Sequence, residues 1–419
     1  MTLTESVIKA VPVEPALRRS TLGLVFVTIL IDFIGFSVLI PVLPIWAARI
    51  GATSFQVGLI LSLYAAAQLV FLPVWGWLSD RVGRRPVLLI SLFGTVLSFL
   101  LLAAAQSLAV IYVARILAGF FAASIGTAQA VVADVTPPEE RASGMGIIGA
   151  AFGLGFVLGP ALGGALWKVH ELAPFYGIAV LASVNLALAW WWLPESRPPE
   201  ARTKNWDGLG RTLVPPPVRL VLSLHDRRIA LYLYLFFHLF TAFAALESMF
   251  ALYLNKRFGL GPLEAAYVFS AIGVSIAFTQ GGLIRWLTPR LGERKLVLLG
   301  LALTGAGLAA IPVVPAASWF FVLGPLIAIG NGLAFPTFTS LYSKACQEDK
   351  AGELLGESQS MATTGRIVGP NWAGFVFDRL GYGAPFLIAG LLMFGALGLF
   401  VLWRKTLLGE SGATAGERA

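Results

Sequence analysis

Two stretches without a single charged side chain set the strongest limit on how this chain folds. They cover residues 86–114 and 296–343, and each is longer than the roughly 20 apolar residues that one helix needs to cross a bilayer. Each stretch therefore predicts a pair of spans. Of the 419 residues, 57% are hydrophobic and only 12% are charged, whereas roughly 25% are charged in soluble proteins. The sequence predicts an integral membrane protein.

Twelve apolar segments are each long enough to cross the bilayer as a helix. A β-barrel is excluded, because its strands would alternate polar and apolar residues over about 10 positions, whereas these runs are continuous. The sequence therefore predicts an all-α, polytopic fold. The predicted spans cover residues 22–46, 56–79, 87–106, 108–133, 143–167, 172–193, 229–255, 262–287, 296–315, 317–343, 356–378 and 382–403.

The distribution of basic residues predicts how the spans are oriented. With both termini in the cytoplasm, Lys and Arg in the inner loops and tails outnumber those in the outer loops by about four to one, as the positive-inside rule requires. This bias also accounts for the net charge of +8, so no nucleic acid partner is implied. We expect an integral protein of a cell membrane, the bacterial inner membrane, with both termini cytoplasmic.

The chain divides into two repeats of six spans. Gly83 and Arg84 correspond to Gly292 and Glu293 at an offset of 209 residues, and the glycines of span 5 recur in span 11 at an offset of 210. A parallel duplication of this kind places a substrate path between the halves, near the midplane. The predicted divisions are an N-terminal tail (1–21), a first half (22–193), a cytoplasmic linker rich in proline and basic residues (194–228), a second half (229–403) and a C-terminal tail (404–419).

The loop after the second span places glycines, an acid and arginines in a fixed order. Gly76 allows close helix contact, Gly83 allows a tight turn, and Asp80 can pair with the arginines beside it. This order resembles motif A of the major facilitator superfamily, whose acid forms a cytoplasmic latch facing the start of span 11. The resemblance implies a latch of Gly76, Asp80, Arg81, Gly83, Arg84 and Arg85, with Asp134 and Arg141 as companions.

The corresponding loop of the second half departs from this pattern. It carries Pro289 where Asp80 would be and Glu293 in place of Arg84. A proline cannot pair with a cation, and a glutamate reverses the charge. We expect the second copy of the latch to be weak or absent.

Span 5 carries a stripe of glycines. Gly155, Gly159 and Gly163 are spaced by four, so they leave one helix face without side chains, and Pro160 removes a backbone hydrogen bond beside it. Together with Gly164 they resemble motif C, found chiefly in the drug:proton antiporters of this superfamily. The resemblance implies export, with a bendable face that suits two halves rocking against each other. Tight packing without a role in transport is the alternative.

Three ionisable residues lie well inside predicted spans: Asp32 in span 1, Arg115 in span 4 and Glu247 in span 7. A charge at such a depth is costly unless it faces a cavity, finds a partner or is neutralised. Asp32 either takes up a proton or pairs with a base such as Arg115, and it could serve only to brace that arginine. Arg115 could also extend to the outer surface.

Two resemblances favour proton coupling. The stretch from Asp32 to Pro41-Val42-Leu43-Pro44 resembles the first-span motif of tetracycline-type exporters. Arg115, followed four residues later by Gly119, resembles the core of motif B, which is associated with proton transfer in the family. We therefore predict proton-coupling roles for Asp32, Arg115 and Glu247.

Four further residues are candidates for the substrate cavity: Gln129, Asn331, His238 and Arg366. His238 lies nine positions before Glu247, about 180° around the helix, so the two cannot share one face. We expect Glu247 to point inward and His238 to be a hydrogen-bonded packing residue. Arg366 could receive an anionic head group or pair with an acid.

No enzymatic function is indicated. The chain has neither a nucleotide-phosphate loop nor a nucleophile constellation, and its single cysteine and three histidines predict no metal site. The family resemblance implies a monomeric exporter of small amphipathic or drug-like molecules, driven by H⁺ antiport through alternating access, without a cofactor. The alternatives are a lipid or glycolipid translocator, a proton-coupled importer, and a non-transporting receptor or scaffold. The expected partners are a small-molecule or lipid-like substrate, protons and the bilayer.

Overall fold

The computed structural model describes residues 15–137, 140–203, 227–345 and 351–403. These residues form helices joined by short turns, with no strand in the described ranges, so the all-α prediction is confirmed. The main helices are α1 (Pro15–Arg49), α2 (Ser54–Val82), α3 (Arg84–Ala103), α4 (Leu108–Phe120), α5 (Ser124–Val135), α6 (Arg141–Val169), α7 (Ala173–Trp192), α8 (Arg227–Phe258), α9 (Pro262–Phe278), α10 (Ile284–Ala310), α11 (Phe320–Ala345), α12 (Ala351–Leu380) and α13 (Ala384–Leu402).

Among the described residues, ten segments are long and apolar enough to cross a membrane, two fewer than the twelve predicted spans. One of the ten is a stretch of 52 residues, Pro262–Val313, which comprises two helices merged across a kink at Gly292 (φ 74°). The other difference is α12, which carries more polar residues than the other spans. With these two differences accounted for, a helix corresponds to each of the twelve predicted spans.

The fourth predicted span is not one continuous helix. It breaks between α4 and α5, and neighbouring helices bind the backbone groups that the break frees. The Trp75 indole donates to the carbonyl of Phe120, and the Ser91 hydroxyl donates to the carbonyl of Phe121. The amide of Ala123 donates to Ser91 Oγ at 3.2 Å. Such partners make a break tolerable inside a membrane.

The motif C glycines hold α6 against α1, a helix of the same half. A Cβ added at Gly155 would lie 2.6 Å from Phe33 Cβ, and one at Gly159 would lie 1.9 Å from Ser37 Oγ. The Ser37 hydroxyl donates to the carbonyl of Gly155 at 2.8 Å. At these positions the glycine face is filled by α1 and does not contact the other half, as tight packing within one half requires. Gly163 also packs on α1, against Val38.

The second half repeats this packing at the predicted offset. Gly365 and Gly369 bring α12 against α8, where an added Cβ would lie 2.9 Å from the amide nitrogen of Thr241 and 2.6 Å from its carbonyl oxygen, respectively. Gly374 corresponds to Gly164, and each of these two glycines faces a helix of the other half. The two halves therefore use the same glycine positions for the same contacts.

The halves meet closely at the end of the bundle that holds residues 50–53 and 381–383, called here the distal end. A Cβ at Gly58 of α2 would lie 2.2 Å from the carbonyl oxygen of Pro370 in α12, and one at Gly374 would lie 2.3 Å from the carbonyl oxygen of Ser54. No side chain fits between backbones this close. The opposite end, which holds Gly83 and residues 193–203, is called the proximal end.

Contact between α6 and α9 weakens from the distal end toward the proximal end. A Cβ at Gly164 would lie 2.9 Å from Leu263 Cα, and one at Gly273 would lie 2.9 Å from the carbonyl oxygen of Phe156. Further along, a Cβ at Gly153 would approach no atom closer than 3.7 Å, and one at Gly149 would have nothing within 4 Å. The two halves are therefore in close contact at the distal end and lie further apart at the proximal end.

Replacing Gly159 with alanine tests the α1–α6 contact. We expect Gly159→Ala to destabilise the protein by about 1–3 kcal/mol, the usual cost of overpacking, because the new methyl group would overlap Ser37 Oγ and crowd the carbonyl of Ile34. Thermal unfolding in one detergent measures the effect. Gly149→Ala is the matched control, because its methyl group meets nothing within 4 Å. Equal unfolding midpoints for the two variants would contradict this packing argument.

Candidate functional site

A small cavity lies between the halves, at the point where α1, α2, α4, α8 and α12 converge. Its volume is about 50 Å³, far below the roughly 300 Å³ or more of a site for a drug-sized molecule. Its wall is largely apolar, with phenylalanine, leucine and isoleucine side chains. The polar side chains that line it are Tyr64, Gln68, Arg115, Glu247 and Arg366.

Asp32 and Arg115 lie near this cavity but do not form an ion pair. The carboxyl group of Asp32 lies near the Ser124 side chain, and its Oδ1 is buried without a hydrogen-bond partner. The guanidinium of Arg115 lies over the ring of Tyr64, 4.5 Å from the centroid. Arg115 is only 4% exposed, so it does not extend to the surface. Of the two alternatives for Asp32, the structure does not form the pair with Arg115: Tyr64, which sequence reasoning missed, lies against the face of that guanidinium.

Arg366 and Glu247 line the cavity from the second half. The guanidinium of Arg366 lies between the rings of Phe36 and Phe240, 5.9 and 5.5 Å from their centroids. Glu247 is close enough to Arg366 for Coulombic attraction, but its Oε1 has no hydrogen-bond partner. Phe36 belongs to the first half, so the contact with Arg366 joins the two halves inside the cavity.

The other predicted cavity residues lie elsewhere. His238 Nδ1 is 2.9 Å from the carbonyl oxygen of Tyr234, and the rings of these two residues are 4.0 Å apart, an arrangement that suits a packing residue. Gln129 is exposed and Asn331 is half-buried, and neither lines the cavity. Roles for these three residues in substrate binding stay predictions. Tyr64 and Gln68 line the cavity instead, and they lie four residues apart on one face of α2.

The motif A residues form a charged network at the proximal end. Arg84 is its centre: Nη2 lies 2.8 Å from Asp80 Oδ1, Nε lies 3.2 Å from Asp134 Oδ2, and Nη1 donates to Ser79 Oγ at 2.6 Å. Arg197 binds the same Asp80 oxygen at 2.6 Å. The structure therefore brings together the predicted Asp80, Arg84 and Asp134, and it adds an arginine from beyond span 6.

Residues 194–203, the first part of the predicted linker, fold over this network. Glu195 Oε1 accepts from the amide of Arg84 at 2.8 Å, and its Oε2 lies 3.6 Å from Arg202. The amide of Thr203 donates to the carbonyl of Asp80 at 3.0 Å. A Cβ at Gly83, where φ is 111°, would lie 2.2 Å from Glu195 Oε2, so this turn requires glycine. The rest of the predicted linker, residues 204–226, lies outside the described residues.

The remaining residues of the predicted latch are spread over the proximal end. Arg81 lies over the ring of Trp77 at 4.0 Å, and Arg85 donates to the carbonyl of Trp190 at 2.5 Å. Gly76 faces open space. Arg141 is exposed at the start of α6 and forms no ion pair with any described residue. The predicted contact of Asp80 with the start of span 11 involves side chains outside the described ones and stays a prediction.

The second half keeps an ion pair at the equivalent place, with the charges exchanged. Glu293 Oε1 lies 2.7 Å from Lys344 Nζ and accepts from Ser340 Oγ at 2.7 Å. Glu293 corresponds to Arg84 at the offset of 209, and Lys344 is one position beyond the counterpart of Asp134, so the acid and the base have exchanged sides. Partial burial raises the pKa of Glu293, but Lys344 and Ser340 outweigh it and the pKa lies below its ordinary value. The expectation of a weak or absent second copy missed this pair.

Asp378 joins the two halves at the distal end. It lies near the end of α12, and its two carboxylate oxygens accept from the amides of Ser54 and Phe55, at 3.1 and 2.9 Å. These amides belong to the first turn of α2, where the helix dipole favours a negative charge. The side chain of Thr53 accepts from the amide of Gln56 at 3.2 Å. The first turn of α2 is therefore capped by a residue of its own half and also donates to an acid of the other half.

Comparison with known proteins identifies the fold. Residues 25–370 and 283–419 match the family model described as Major Facilitator Superfamily. The chain belongs to this superfamily. It is 30% identical to the class C tetracycline resistance protein of Escherichia coli over 353 residues, which are 82% of this chain and 86% of that protein. Multidrug resistance protein 2 of Bacillus subtilis is 28% identical over 382 residues, 90% of this chain and 93% of that protein.

Solved structures of the Major Facilitator Superfamily share the architecture. The crystal structure of the human organic anion transporter MFSD10 has a TM-score of 0.68 to this chain at 26% identity, and the match covers 91% of this chain and 99% of that one. The apolar helices and this family membership identify an integral membrane protein. The resemblances drawn from motifs A and C are thereby confirmed at the level of the family.

Replacing Arg84 tests whether the motif A network stabilises the fold. We expect Arg84→Gln to lower the stability by about 1–2 kcal/mol, because it leaves Asp80 and Asp134 without their shared cation, while water compensates in part for these half-exposed acids. Thermal unfolding at low salt measures the loss. Arg141→Gln is the control, because Arg141 belongs to the same predicted latch but has no ion pair among the described residues. A loss of equal size in both variants would contradict the assignment.

Proposed function

We propose that this protein is a proton-coupled transporter that exports small amphipathic or drug-like molecules by H⁺ antiport. The observation that carries the proposal is the set of ionisable side chains around a cavity between two six-helix halves. A charged group so deep is costly, and neither Asp32 nor Glu247 forms an ion pair shorter than 4 Å with a described residue. The names of the relatives, a tetracycline resistance protein and a multidrug resistance protein, support this class of substrate.

The proposal includes the setting in which the protein works. It acts as a monomer in the bacterial inner membrane, with both termini in the cytoplasm and the distal end outside. The proton gradient is its energy source, and it uses no cofactor. Its partners are the substrate, protons and the surrounding lipid. The basic inner loops support this orientation.

Asp32 is the first candidate for the coupling proton. Its Oδ1 is buried without a partner, while Tyr64 is close enough to both Asp32 and Arg115 for Coulombic interaction. Protonation would remove a charge from this group of three side chains and so change which arrangement of the halves is favoured. A coupling site needs such a change, because a ligand shifts a two-state equilibrium only by its differential affinity for the two states.

Alternating access follows from the size of the cavity and from the contacts around it. About 50 Å³ cannot hold a drug-sized molecule, so the halves must move apart before substrate binds. The distal contacts at Gly58, Gly374 and Asp378 close the outer end in this conformation. Outward opening therefore has to break the contacts of Asp378 with α2, and inward opening leaves them intact.

Removing the charge of Asp32 tests proton coupling. In reconstituted vesicles with an imposed pH difference, we expect Asp32→Asn to reduce proton-driven tetracycline transport by at least about fivefold, because coupling between two sites is typically worth about 1–3 kcal/mol. Binding of tetracycline to the purified variant should persist. Glu171→Gln is the control, because Glu171 pairs with Arg49 at the exposed distal surface. Full transport by Asp32→Asn would reject this role, and uptake in the opposite direction would favour the importer.

Truncating Asp378 tests distal closure. We expect Asp378→Ala to populate the outward-open state more, because the amides of Ser54 and Phe55 lose an anionic acceptor worth about 1 kcal/mol, or roughly fivefold in the equilibrium. A cysteine placed at Leu61, which lines the cavity, reports the change in a Cys346→Ser background. Its alkylation by an impermeant maleimide added to intact cells should become several times faster.

The matched control for this measurement is Glu171→Ala. Glu171 is also an acid of the distal end, but its partner Arg49 belongs to the same half, at 3.3 Å. Its removal breaks no contact between the halves. An unchanged alkylation rate in Asp378→Ala, or an equal increase in both variants, would refute the role of Asp378 in closure.

A further inference from the structure

Two arginines of the cavity have no carboxylate partner among the described side chains. Arg115, 4% exposed, lies over the ring of Tyr64 at 4.5 Å and has an Nε without a hydrogen-bond acceptor. Arg366 lies between Phe36 and Phe240, 5.9 and 5.5 Å from the ring centroids. Arg115 is buried and Arg366 is partly buried. Both guanidinium groups contact the faces of aromatic rings, and neither has the close ion pair that usually accompanies a cation withdrawn from water.

Ring faces neutralise a buried guanidinium only in part. A cation–π contact contributes about 0.5–2 kcal/mol, less than the several kcal/mol that desolvating an ion costs. Arginine also cannot lose its proton under ordinary conditions. The positive charges of the cavity are thus permanent, whereas the charges of its carboxylates can be removed by protonation. A negatively charged group of a ligand would supply the missing counter-charge.

Glu247 provides the complementary site on the same wall. It lines the cavity beside Arg366, is close enough to it for Coulombic attraction, and has an Oε1 that is buried without a partner. A ligand ammonium group could pair with this carboxylate only while it is deprotonated. The cavity therefore presents a permanent cationic position and a titratable anionic position side by side.

We propose that the cavity selects amphipathic zwitterions, with the acidic group of the substrate at Arg366 and its cationic group at Glu247. The inference rests on the proposed function in taking this cavity as the substrate site. Antiport itself favours a zwitterion over a simple anion. Protonation of Glu247 would strengthen anion binding and so move protons and anions together, whereas it would displace the cationic group of a zwitterion, as exchange requires.

The other charged and titratable groups that face Glu247 do not replace it in this role. Arg366 on α12 and Arg115 on α4 stay cationic, and Tyr64 on α2 lies against Arg115. Asp32 on α1 lies near Ser124, is not part of the cavity lining and serves as the separate coupling site proposed above. Glu247 is thus the one acid that lines the cavity among the described residues.

Four dansyl probes separate the two charges of the ligand. Nε-dansyl-lysine is a zwitterion, its methyl ester is a cation, its Nα-acetyl derivative is an anion, and the acetylated ester is neutral. Binding to the purified full-length protein in detergent is followed by dansyl fluorescence. We expect the zwitterion to bind at least about tenfold more tightly than each singly charged probe, since a charge-assisted contact is typically worth a factor of that size.

Substitutions then assign each charge to a side chain. Arg366→Gln should bring the ratio of acid to ester affinities close to one and leave the ratio of amine to acetylated affinities unchanged. Glu247→Gln should do the reverse and should abolish the weakening of ester binding at acidic pH. Arg366→Lys should keep a preference for the acid. Arg379→Gln is the control: Arg379 is on the same helix, over the Phe375 ring at 5.8 Å, and does not line the cavity.

Affinity ratios within one variant cancel any uniform loss of folded protein, so a structural defect cannot imitate the result. Equal affinities of the acid and its ester in the unmodified protein would overturn the proposal. A loss of equal size for all four probes in Arg366→Gln would overturn it as well. If the protein binds the probes according to their charge but exchanges no protons, only the proposed transport function is contradicted. If it exchanges protons but binds all four probes equally well, only the zwitterion site is contradicted.

Discussion

The structure depends on helix backbones approaching one another where side chains are absent. Inside hydrocarbon a helix gains little by hiding apolar side chains from lipid, so close van der Waals contact has to hold the bundle together. Gly155 and Gly159 bring α6 onto α1, and Gly365 and Gly369 bring α12 onto α8. The two helices held in this way are the ones that carry Asp32 and Glu247. Repeated glycine packing therefore also fixes where the acids sit.

Charged side chains are arranged differently at the ends of the bundle and in its middle. At the proximal end Arg84, Asp80, Asp134 and Arg197 all lie within 3.2 Å of an opposite charge. Arg84 is buried, but water reaches Asp80 and Asp134, so the pairing of these acids contributes modestly. In the cavity, where an unpaired charge is most costly, no such pair forms among the described residues. A costly arrangement of this kind persists where binding or proton transfer requires it.

The sequence was sufficient for features that are local along the chain. Apolar runs predicted the spans, and glycine spacing predicted the repeated close contacts. Features that depend on a second helix were missed. The break in span 4 needs Ser91 and Trp75, the network at Asp80 needs Arg197, and Lys344 completes the pair with Glu293. Depth in the membrane left open whether Asp32 and Arg115 pair, and the answer depends on Tyr64 of a third helix, which lies against Arg115.

The two halves meet along two helix interfaces, α2 with α12 and α6 with α9, which are called seams here. Different interactions hold the two seams together, although the repeats are alike. At the α2–α12 seam the carboxylate of Asp378 binds the first turn of α2 across the interface. At the α6–α9 seam the start of α9 is capped by its own Glu264, which accepts from the amide of Gly261 at 2.9 Å. Here the halves are joined by packing at Gly164 and Gly273 and by one neutral hydrogen bond, from the Ser270 hydroxyl to the carbonyl of Val157 at 3.0 Å. Of the two seams, a charged side chain thus joins the halves only at α2–α12 among the described residues. Packing contacts tolerate rolling better than a directed hydrogen bond tolerates stretching. Because the α6–α9 seam has a single neutral hydrogen bond, whereas Asp378 makes two charged ones at α2–α12, distal opening would pivot at α6–α9 and separate the halves at α2–α12.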